Sequence, residues 1–372
     1  MICAKCKGRL LCGRKKCPFL VKFRFRRNVE VGEIERPTPP SVFVGRIGYP
    51  KVFAGPLIAM DYDDPEFLDS PWLWKGSVED VMALRMSLVR GMKVCDVRKE
   101  DGFVETLREA VASIRHVEIE CGIVKVVEKP VFDDILQPMG VSAKIDGLKL
   151  IENPKIPKKV EKVWNDEMKA VEGVGYLFDS GFSTYYIQKL FSVGILGIER
   201  RMVPTRWSIT AVHDLLGESL KREIAGFESV NDSMLFSYEH FGNRFKILIT
   251  PGEFSFNLIE VWRKGSFWSP KSDWIGIDSE TIRRKKRYSD LGGGYYAARL
   301  PVLEFLRRIG RKGRVFVVRE ITPEYYAPLG VWVVEEGVRR ALERGKKVDE
   351  EVVGGILRSF EIQATLSDFC RE

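Results

Sequence analysis

The four cysteines at the start of the chain have the spacing of a metal site. Cys3, Cys6, Cys12 and Cys17 follow the pattern C-x2-C-x5-C-x4-C. Four thiolates form the tetrahedral sulfur shell that Zn²⁺ favours, and they leave no open coordination position for water. The spacing therefore predicts a structural zinc knuckle whose folding depends on the metal. An iron–sulfur cluster, or a redox pair of cysteines with two bystanders, is the alternative.

Basic residues surround and follow these cysteines. Residues 1–60 contain 13 Lys or Arg and 3 Asp or Glu, a net charge of +10, so the rest of the chain carries −2 of the total of +8. A surface with one sign of charge indicates binding to a nucleic-acid backbone. The candidate DNA-contacting side chains in this segment are Arg14, Lys15, Lys16, Arg24 and Arg26. The phenylalanines interleaved with them are typical of a half-buried strand.

The last ten residues contain side chains suited to an apolar pocket. Gln363, Leu366 and Phe369 follow the order Q-x-x-L-x-x-F. One helical turn would point the leucine and the phenylalanine the same way, with the glutamine amide offering hydrogen bonds at the flank. The pattern resembles the peptide by which DNA-processing proteins bind the sliding clamp PCNA. Cys370 stands where that peptide usually has a second aromatic, and a frayed amphipathic tail is the alternative.

A group of arginines lies in the middle of the chain, at residues 200–210. It precedes a helix that we expect to begin near Ser208, where free backbone N–H groups and the helix dipole favour an anion. We expect Arg206 to fork to a phosphate while Ser208 caps the helix. The candidate phosphate ligands here are Arg201, Thr205, Arg206 and Ser208. The alternative makes Trp207 a core anchor and Arg200 or Arg201 a surface ion pair.

A glycine-rich loop, Gly292-Gly293-Gly294, leads into another predicted helix. Consecutive glycines permit a nest of backbone N–H groups that could hold an oxyanion. The candidate ligands are Gly293, Gly294 and Arg299. The loop lacks the Gly-Lys-Ser/Thr of a P-loop, and a flexible turn is the alternative. The basic run at 283–287 is usually a solvated face, but beside two tyrosines it favours contact with a nucleic-acid backbone.

Taken together, these motifs resemble the archaeal Nre family of DNA repair proteins. The resemblance spans essentially the whole chain and rests on the cysteine knuckle, the segment 203–210, the segment 292–301 and the clamp-like tail. It implies a repair factor that binds PCNA and acts alongside nucleotide-excision repair proteins. The residues that would bind the clamp are Gln363, Leu366, Phe369 and Cys370. The resemblance supplies no catalytic residues.

Residue spacing indicates no catalytic signature. The three histidines, His116, His213 and His240, are far apart, and the acidic residues at 61–64 and 133–134 lie near prolines, as is typical of turns. The alternative to a DNA-binding repair factor is a phosphoester-acting enzyme, either a nuclease or a hydrolase of a nucleotide or phosphate ligand, with an arginine-rich pocket around Arg206.

Hydrophobic periodicity predicts an α+β fold, with the four-cysteine zinc knuckle on a mixed body of helices and antiparallel sheet. The predicted parts are 1–35 (basic zinc knuckle), 36–155 (first α+β part), 156–359 (helices and antiparallel sheet) and 360–372 (clamp-binding tail). Helices are expected near 77–90, 101–114, 158–171, 184–193, 209–224, 297–309, 332–344 and 348–359. Strands are expected at 117–128, 139–151 and 314–321, with an antiparallel meander over 233–262.

Composition excludes the membrane and secreted disulfide-rich classes. The chain has 372 residues and is 45% hydrophobic, but no stretch approaches the roughly 18 apolar residues of a membrane span. The N-terminus has cysteines and lysines where a signal peptide needs an apolar run. The three cysteines outside the knuckle are isolated, unlike a disulfide framework. We therefore expect a cytoplasmic, nucleoid-associated protein without a membrane partner.

Overall fold

The computed structural model describes residues 10, 29–60, 64–127, 140–343 and, for the backbone alone, 345–347. They fall into two compact units that divide between Leu215 and Leu216, inside the helix Thr205–Ile224. We call them the N-terminal unit and the C-terminal unit and describe each by itself. Both combine helices with a mixed sheet, which confirms the α+β class. The four cysteines of the predicted zinc knuckle lie outside the described residues.

A six-stranded sheet organises the N-terminal unit. Its strands are β1 (Gly32–Thr38), β2 (Val42–Val44), β3 (Lys51–Ala59), β4 (Leu88–Asp96), β5 (Val117–Val127) and β6 (Ser142–Leu150). They lie in the order β1-β5-β6-β4-β3-β2. Neighbours are antiparallel except β4 and β6, which are parallel. The strands predicted at 117–128 and 139–151 are thus confirmed, with slightly shorter bounds.

The helices of this unit begin in different ways, and side-chain caps start the first two. They are α1 (Val78–Ser87), α2 (Gly102–Ala112), α3 (Lys158–Asn165), α4 (Ala170–Asp179), α5 (Thr184–Ser192) and the start of α6 (Thr205–Ile224). Ser77 and Asp80 form a capping box, with the Ser77 amide donating to the Asp80 carboxylate (2.8 Å). Asp101 accepts from the amide of Val104 (2.9 Å). The helices expected near 77–90 and 101–114 are thus confirmed, with shorter bounds, whereas α4 was not predicted.

Helices α3–α5 belong to the N-terminal unit. The guanidinium of Arg108 on α2 donates to the carbonyls of Val193 (3.2 Å) and Arg200. The ammonium of Lys189 on α5 lies 2.8 Å from a carboxylate oxygen of Asp69. These bonds tie α5 and the residues that follow it to α2 and to Asp69, which are distant in the sequence, and periodicity within one segment does not reveal them.

In the sheet of the C-terminal unit, a strand from later in the sequence lies between two strands from earlier in the sequence. Its strands are β8 (Met234–His240), β9 (Asn243–Thr250), β10 (Ser255–Trp262), β11 (Trp274–Thr281), β13 (Arg314–Ile321) and β14 (Gly345–Lys347), and the short pair β7 (Glu228–Ser229) and β12 (Arg311–Lys312) lies apart. The order is β11-β10-β13-β9-β8-β14. Strand β13 runs parallel to β10 and antiparallel to β9. The antiparallel meander predicted for 233–262 is confirmed for β8 and β9 but is wrong for β9 and β10, which are not neighbours.

Two helices pack on this sheet, α7 (Gly293–Ile309) and α8 (Trp332–Leu342). Both were predicted, although α7 begins several residues earlier than expected. The helix predicted at 348–359 lies outside the described residues, and strand β11 was not predicted. Within the part of the chain that the structure describes, no helix combines the length and hydrophobicity that a bilayer crossing requires.

Candidate nucleic-acid interface

The first turn of α6 is fixed against strand β2. The carbonyl of Pro204 accepts from the amides of Trp207 (2.7 Å) and Ser208 (3.0 Å), so α6 begins at Thr205, earlier than the predicted start near Ser208. The hydroxyl of Thr205 accepts from the amide of Val44 (2.9 Å) at the end of β2. Thr205 therefore joins the helix to the sheet, and its hydroxyl already has a backbone partner.

Ser208 lies inside the N-terminal unit. It is fully buried, and its hydroxyl donates to the carbonyl of Thr205 (2.9 Å). Val212, one turn later, is also buried. These two residues define the inner face of α6, and Arg206 and Trp207 consequently point outward. Because Ser208 lies within α6 and is buried, it does not occupy the position that the sequence predicts, that of a helix cap beside a phosphate.

Trp207 is 47% exposed, which contradicts the core-anchor interpretation. Its ring lies 5.4 Å from that of Tyr49, which is also exposed and belongs to the turn between β2 and β3. The same turn carries Ile47, which is 85% exposed, and the exposed Arg46. We call Arg46, Ile47, Tyr49, Arg206 and Trp207 the Trp207 surface. It combines aromatic faces with cations, the chemistry that binds unstacked bases and their phosphates.

Arg98 borders the Trp207 surface. Its guanidinium forms two hydrogen bonds with the carboxylate of Asp96 (3.0 and 2.8 Å), and it lies near Tyr49. The hydrogen bonds from Arg98 hold the pKa of the Asp96 carboxyl well below its usual range. That carboxylate is therefore ionised at neutral pH, and it orients Arg98 beside the exposed tyrosine.

Arg201 takes part in a surface ion pair with Glu199 (3.1 Å), as the alternative interpretation of that arginine proposes. Its neighbour Arg200 has a left-handed backbone (φ 47°), and the Arg200 carbonyl accepts from Arg108. A Cβ at Gly194 would lie 2.7 Å from that same carbonyl oxygen, so a glycine is required there. The approach to α6 is thus set by backbone contacts, and Arg201 remains exposed.

Arg299 lies inside the C-terminal unit. It is fully buried, and its guanidinium lies 3.1 Å from Glu218 and 3.0 Å from Glu280. The buried Lys221 completes the cluster, 2.9 Å from Glu218 and 3.5 Å from Glu280. A guanidinium surrounded in this way serves the packing of α6 against α7 rather than a phosphate at the surface.

The glycine-rich loop forms the start of α7. Gly292 has a positive φ of 64°, Gly293 is half-buried and Gly294 is buried. A Cβ at Gly294 would lie 3.4 Å from a carboxylate oxygen of Glu260, which pairs with the buried Arg319 (2.7 Å). A carboxylate of the protein therefore lies beside the first turn, where the sequence predicts a bound oxyanion. Gly293 and Arg206 belong to different units.

The histidines have separate environments. His116 is partly exposed and lies 3.3 Å from Glu66. His213 is buried, with its Nε2 atom 3.1 Å from the side-chain amide of Gln188. His240 is buried in the C-terminal unit, where burial lowers its pKa to about 3. The described residues contain no cluster of three or more His, Cys, Asp or Glu suited to a metal ion.

The remaining candidates lie outside the described residues. They are the metal ligands Cys3, Cys6, Cys12 and Cys17, the basic residues Arg14, Lys15, Lys16, Arg24 and Arg26, and the clamp peptide Gln363, Leu366, Phe369 and Cys370. Sequence reasoning missed Arg46, Ile47 and Tyr49. The signal that could have found them is the isoleucine and the tyrosine beside an arginine in a Gly- and Pro-rich turn, because turns usually carry small polar residues instead.

Comparison with known proteins places the chain in one family. The models for archaeal Nre, N-terminal, and archaeal Nre, C-terminal, match residues 11–269 and 280–367. The chain is 56% identical over 354 residues to DNA repair protein NreA of Archaeoglobus fulgidus, covering 94% of this chain and 90% of that protein. It is 36% identical over 371 residues to DNA repair protein NreB of the same organism, covering 98% and 94%.

A third relative comes from a different archaeon. The chain is 36% identical over 372 residues to DNA repair protein NreA of Haloferax volcanii, covering 94% of this chain and 88% of that protein. No solved structure gives a significant match. Since two family models together and three relatives individually match most of its length, the chain belongs to the archaeal Nre family.

Proposed function

We propose that this protein is a DNA repair factor that binds DNA and is recruited to the sliding clamp PCNA by its C-terminal peptide, acting alongside nucleotide-excision repair proteins. The observation that carries the repair role is the 56% identity to a DNA repair protein over nearly the whole chain. DNA binding is supported by the +10 charge of residues 1–60 and by the Trp207 surface. Clamp recruitment is supported by the Q-x-x-L-x-x-F order of the tail.

The geometry favours a binding surface over the enzymatic alternative. Arg206 lies on an exposed face of α6, beside the exposed Trp207. A phosphoester-cleaving pocket around Arg206 would need a general base or metal-binding carboxylates within reach of the scissile phosphate. His213, the histidine nearest to Arg206 in sequence, lies on the buried face of α6 instead. The exposed aromatic rings are suited to stacking with unpaired bases.

Titration of labelled oligonucleotides tests the DNA-binding proposal. We expect single-stranded DNA to bind with an affinity that falls steeply as salt rises. Trp207→Ala should weaken that binding by about 1–3 kcal/mol, the range found for stacking of a base on an aromatic ring. Trp274→Ala is the matched control, since Trp274 has the same 47% exposure but lies in the C-terminal unit. Equal affinities for the two variants would remove the Trp207 surface from the proposal.

Calorimetry with the cognate clamp tests the recruitment proposal. Phe369→Ala should abolish binding because an aromatic anchor supplies much of the affinity of such a peptide. The melting temperature should not change, since chain ends contribute little to a core. Phe360→Ala is the control, because Phe360 precedes the Q-x-x-L-x-x-F pattern. Clamp binding that survives Phe369→Ala would refute the peptide assignment.

The cysteine knuckle belongs to the same proposal. Four thiolates match the preferences of Zn²⁺, and a metal held by four protein ligands would stabilise the basic segment without taking part in chemistry. The residues that would hold it are Cys3, Cys6, Cys12 and Cys17. The proposed zinc thus presents cations to the DNA backbone in a fixed arrangement.

A further inference from the structure

The loop between β11 and α7 carries five consecutive cations, Arg283, Arg284, Lys285, Lys286 and Arg287. We call residues 282–288 the cationic loop. Its basic side chains divide into two kinds. The side chain of Lys285 is only 19% exposed, whereas the other four basic residues are exposed. One lysine therefore turns into the protein while its neighbours face solvent.

Buried groups of the C-terminal unit hold the start and middle of the cationic loop. The ammonium group of Lys285 pairs with the carboxylate of Asp278 and lies 5.1 Å from the centre of the Tyr295 ring. The buried ammonium group of Lys221 donates to the carbonyl of Arg283 (3.0 Å). Both contacts act on the side of the loop that faces the protein, so they do not occupy the exposed side chains of Arg283, Lys286 and Arg287.

The end of the cationic loop is held by two stacked tyrosines. The rings of Tyr288 and Tyr296 lie 5.3 Å apart with an interplanar angle of 29°. The amide of Ser289 donates to the Tyr296 hydroxyl (3.2 Å), and Tyr288 itself is 60% exposed. A backbone fixed at both ends loses less conformational freedom on binding than a flexible tail does. The loop is thus preorganised as a surface of positive charge.

The acidic residues that flank the cationic loop do not neutralise it. Asp278 pairs with Lys285, and Glu280 lies 3.0 Å from the buried Arg299. Asp290, after the loop, is one exposed carboxylate, whereas Arg283, Lys286 and Arg287 are three exposed cations. Among the ion pairs found within the described residues, none involves Arg283, Lys286 or Arg287. The exposed side therefore carries net positive charge.

We propose that the cationic loop is a DNA-backbone contact on the C-terminal unit. This inference rests on the proposed DNA-binding function and adds a contact separate from the basic N-terminal segment and the Trp207 surface. Closely spaced cations match the density of phosphates along a DNA strand. Phosphate contacts carry no sequence information directly, so the contact is independent of sequence. The sequence predicts a backbone contact at this basic run and an oxyanion at Gly293 and Gly294, and the proposal keeps the first of these two contacts.

The salt dependence of DNA binding tests the contact. The double variant Lys286→Ala/Arg287→Ala should bind duplex DNA at least about tenfold more weakly at low salt. The slope of log affinity against log salt should become less steep by about two, one for each phosphate that the variant no longer neutralises. The melting temperature should stay within about one degree, since both side chains are exposed.

Two further variants separate this proposal from simpler explanations. Lys264→Ala/Lys271→Ala removes the same charge from exposed positions before β11, at the opposite end of that strand from the loop, and should change the slope little. Lys285→Ala should lower the melting temperature through loss of the Asp278 pair while the slope changes by less than half as much as in the loop variant.

The outcomes also separate the proposal from the DNA-binding function itself. An unmutated protein that binds no DNA at low salt would refute the proposed function. An unmutated protein that binds DNA with the same affinity and slope as Lys286→Ala/Arg287→Ala would refute the loop contact alone. Loss of RNA binding in that variant, with DNA binding intact, would also overturn the proposal and assign the loop to RNA.

Discussion

His240 illustrates how burial controls a single titratable side chain. It ends strand β8, where its ring lies 3.8 Å from that of Phe241 and edge-on to Trp332 at 6.3 Å. Its Nε2 atom is buried without a hydrogen-bond partner among the described residues. Burial lowers the pKa of His240 to about 3, and the nearby charge of Arg340 acts in the same direction. The imidazole is therefore neutral in the folded protein near neutral pH.

We expect His240 to make the C-terminal unit less stable in acid. Between its ordinary pKa of 6.5 and about 3, the unfolded chain binds a proton at this residue and the folded chain does not. The free energy of unfolding should thus fall as pH falls, by at most about 1.4 kcal/mol per pH unit from this group. His240→Met should flatten the curve in urea unfolding between pH 6.5 and 4. Parallel curves for parent and variant would contradict the shifted pKa.

The candidate site residues show how much the sequence could predict at this scale. The sequence identifies residues 200–210 as a candidate site, but it does not predict that Trp207 is exposed. The reason is that the small Ser208, together with Val212, sets the inner face of α6. Arg299 follows the glycine-rich loop, and the sequence therefore predicts it at a phosphate. Its burial is missed because its partners Glu218 and Glu280 are distant in the sequence. Burial of a charge depends on such distant partners, which a local pattern does not contain.

At the scale of elements, α6 and α7 approach each other closely at Gly217. A Cβ at this position would lie 2.5 Å from a terminal nitrogen of Arg299 and 2.8 Å from its central carbon. The glycine therefore makes room for the buried guanidinium and its two glutamate partners. Gly175 in α4 offers a contrast, because a Cβ there would meet no atom within 4 Å.

Replacing these two helical glycines by alanine should change stability in opposite directions. Alanine gains about 0.5–1 kcal/mol over glycine in a helix, and Gly175→Ala should show that gain. Gly217→Ala should instead lose about 1–3 kcal/mol, since overpacking displaces Arg299 from its ion pairs. Urea unfolding of the two variants measures both effects. A stabilising Gly217→Ala would show that the guanidinium can move away at little cost.

The elements also divide into those that local pattern could and could not predict. The capped helices α1 and α2 and strand β13 follow from cap residues and alternation, and their positions were predicted closely. The neighbours of β13 were not predicted, because alternation identifies a strand and its buried face but not its partner. The family resemblance, by contrast, was correct because it rested on whole motifs rather than on single elements.

For the whole molecule, the proposed functions concentrate at the ends of the chain. The proposed basic knuckle and the proposed clamp peptide occupy its first and last segments, whereas the Trp207 surface and the cationic loop belong to the two folded units. Residues 61–372 carry a net charge of −2, so the strongest attraction to DNA should come from the first segment. This division predicts that loss of the proposed zinc weakens DNA binding strongly. The same loss should change the stability of either unit less.

Removal of zinc should therefore affect the first segment selectively. Cys6→Ser should release the metal and increase hydrogen exchange over the first 20 or so residues, because a segment this short lacks a core of its own. DNA affinity should fall with it. Cys370→Ser, a matched change outside the cluster, should retain about one zinc per chain by metal analysis. A purified parent protein without bound zinc would refute the assignment.

The insertion of β13 between β9 and β10 has a consequence for synthesis on the ribosome. About fifty residues separate β10 from β13, so both flanking strand pairs emerge before the strand that joins them. Until residue 321 has emerged from the ribosome, the nascent polypeptide exposes two sheet edges with unpaired backbone groups, which are prone to aggregate. Codon choice or chaperone supply over this stretch should therefore govern the yield of native protein.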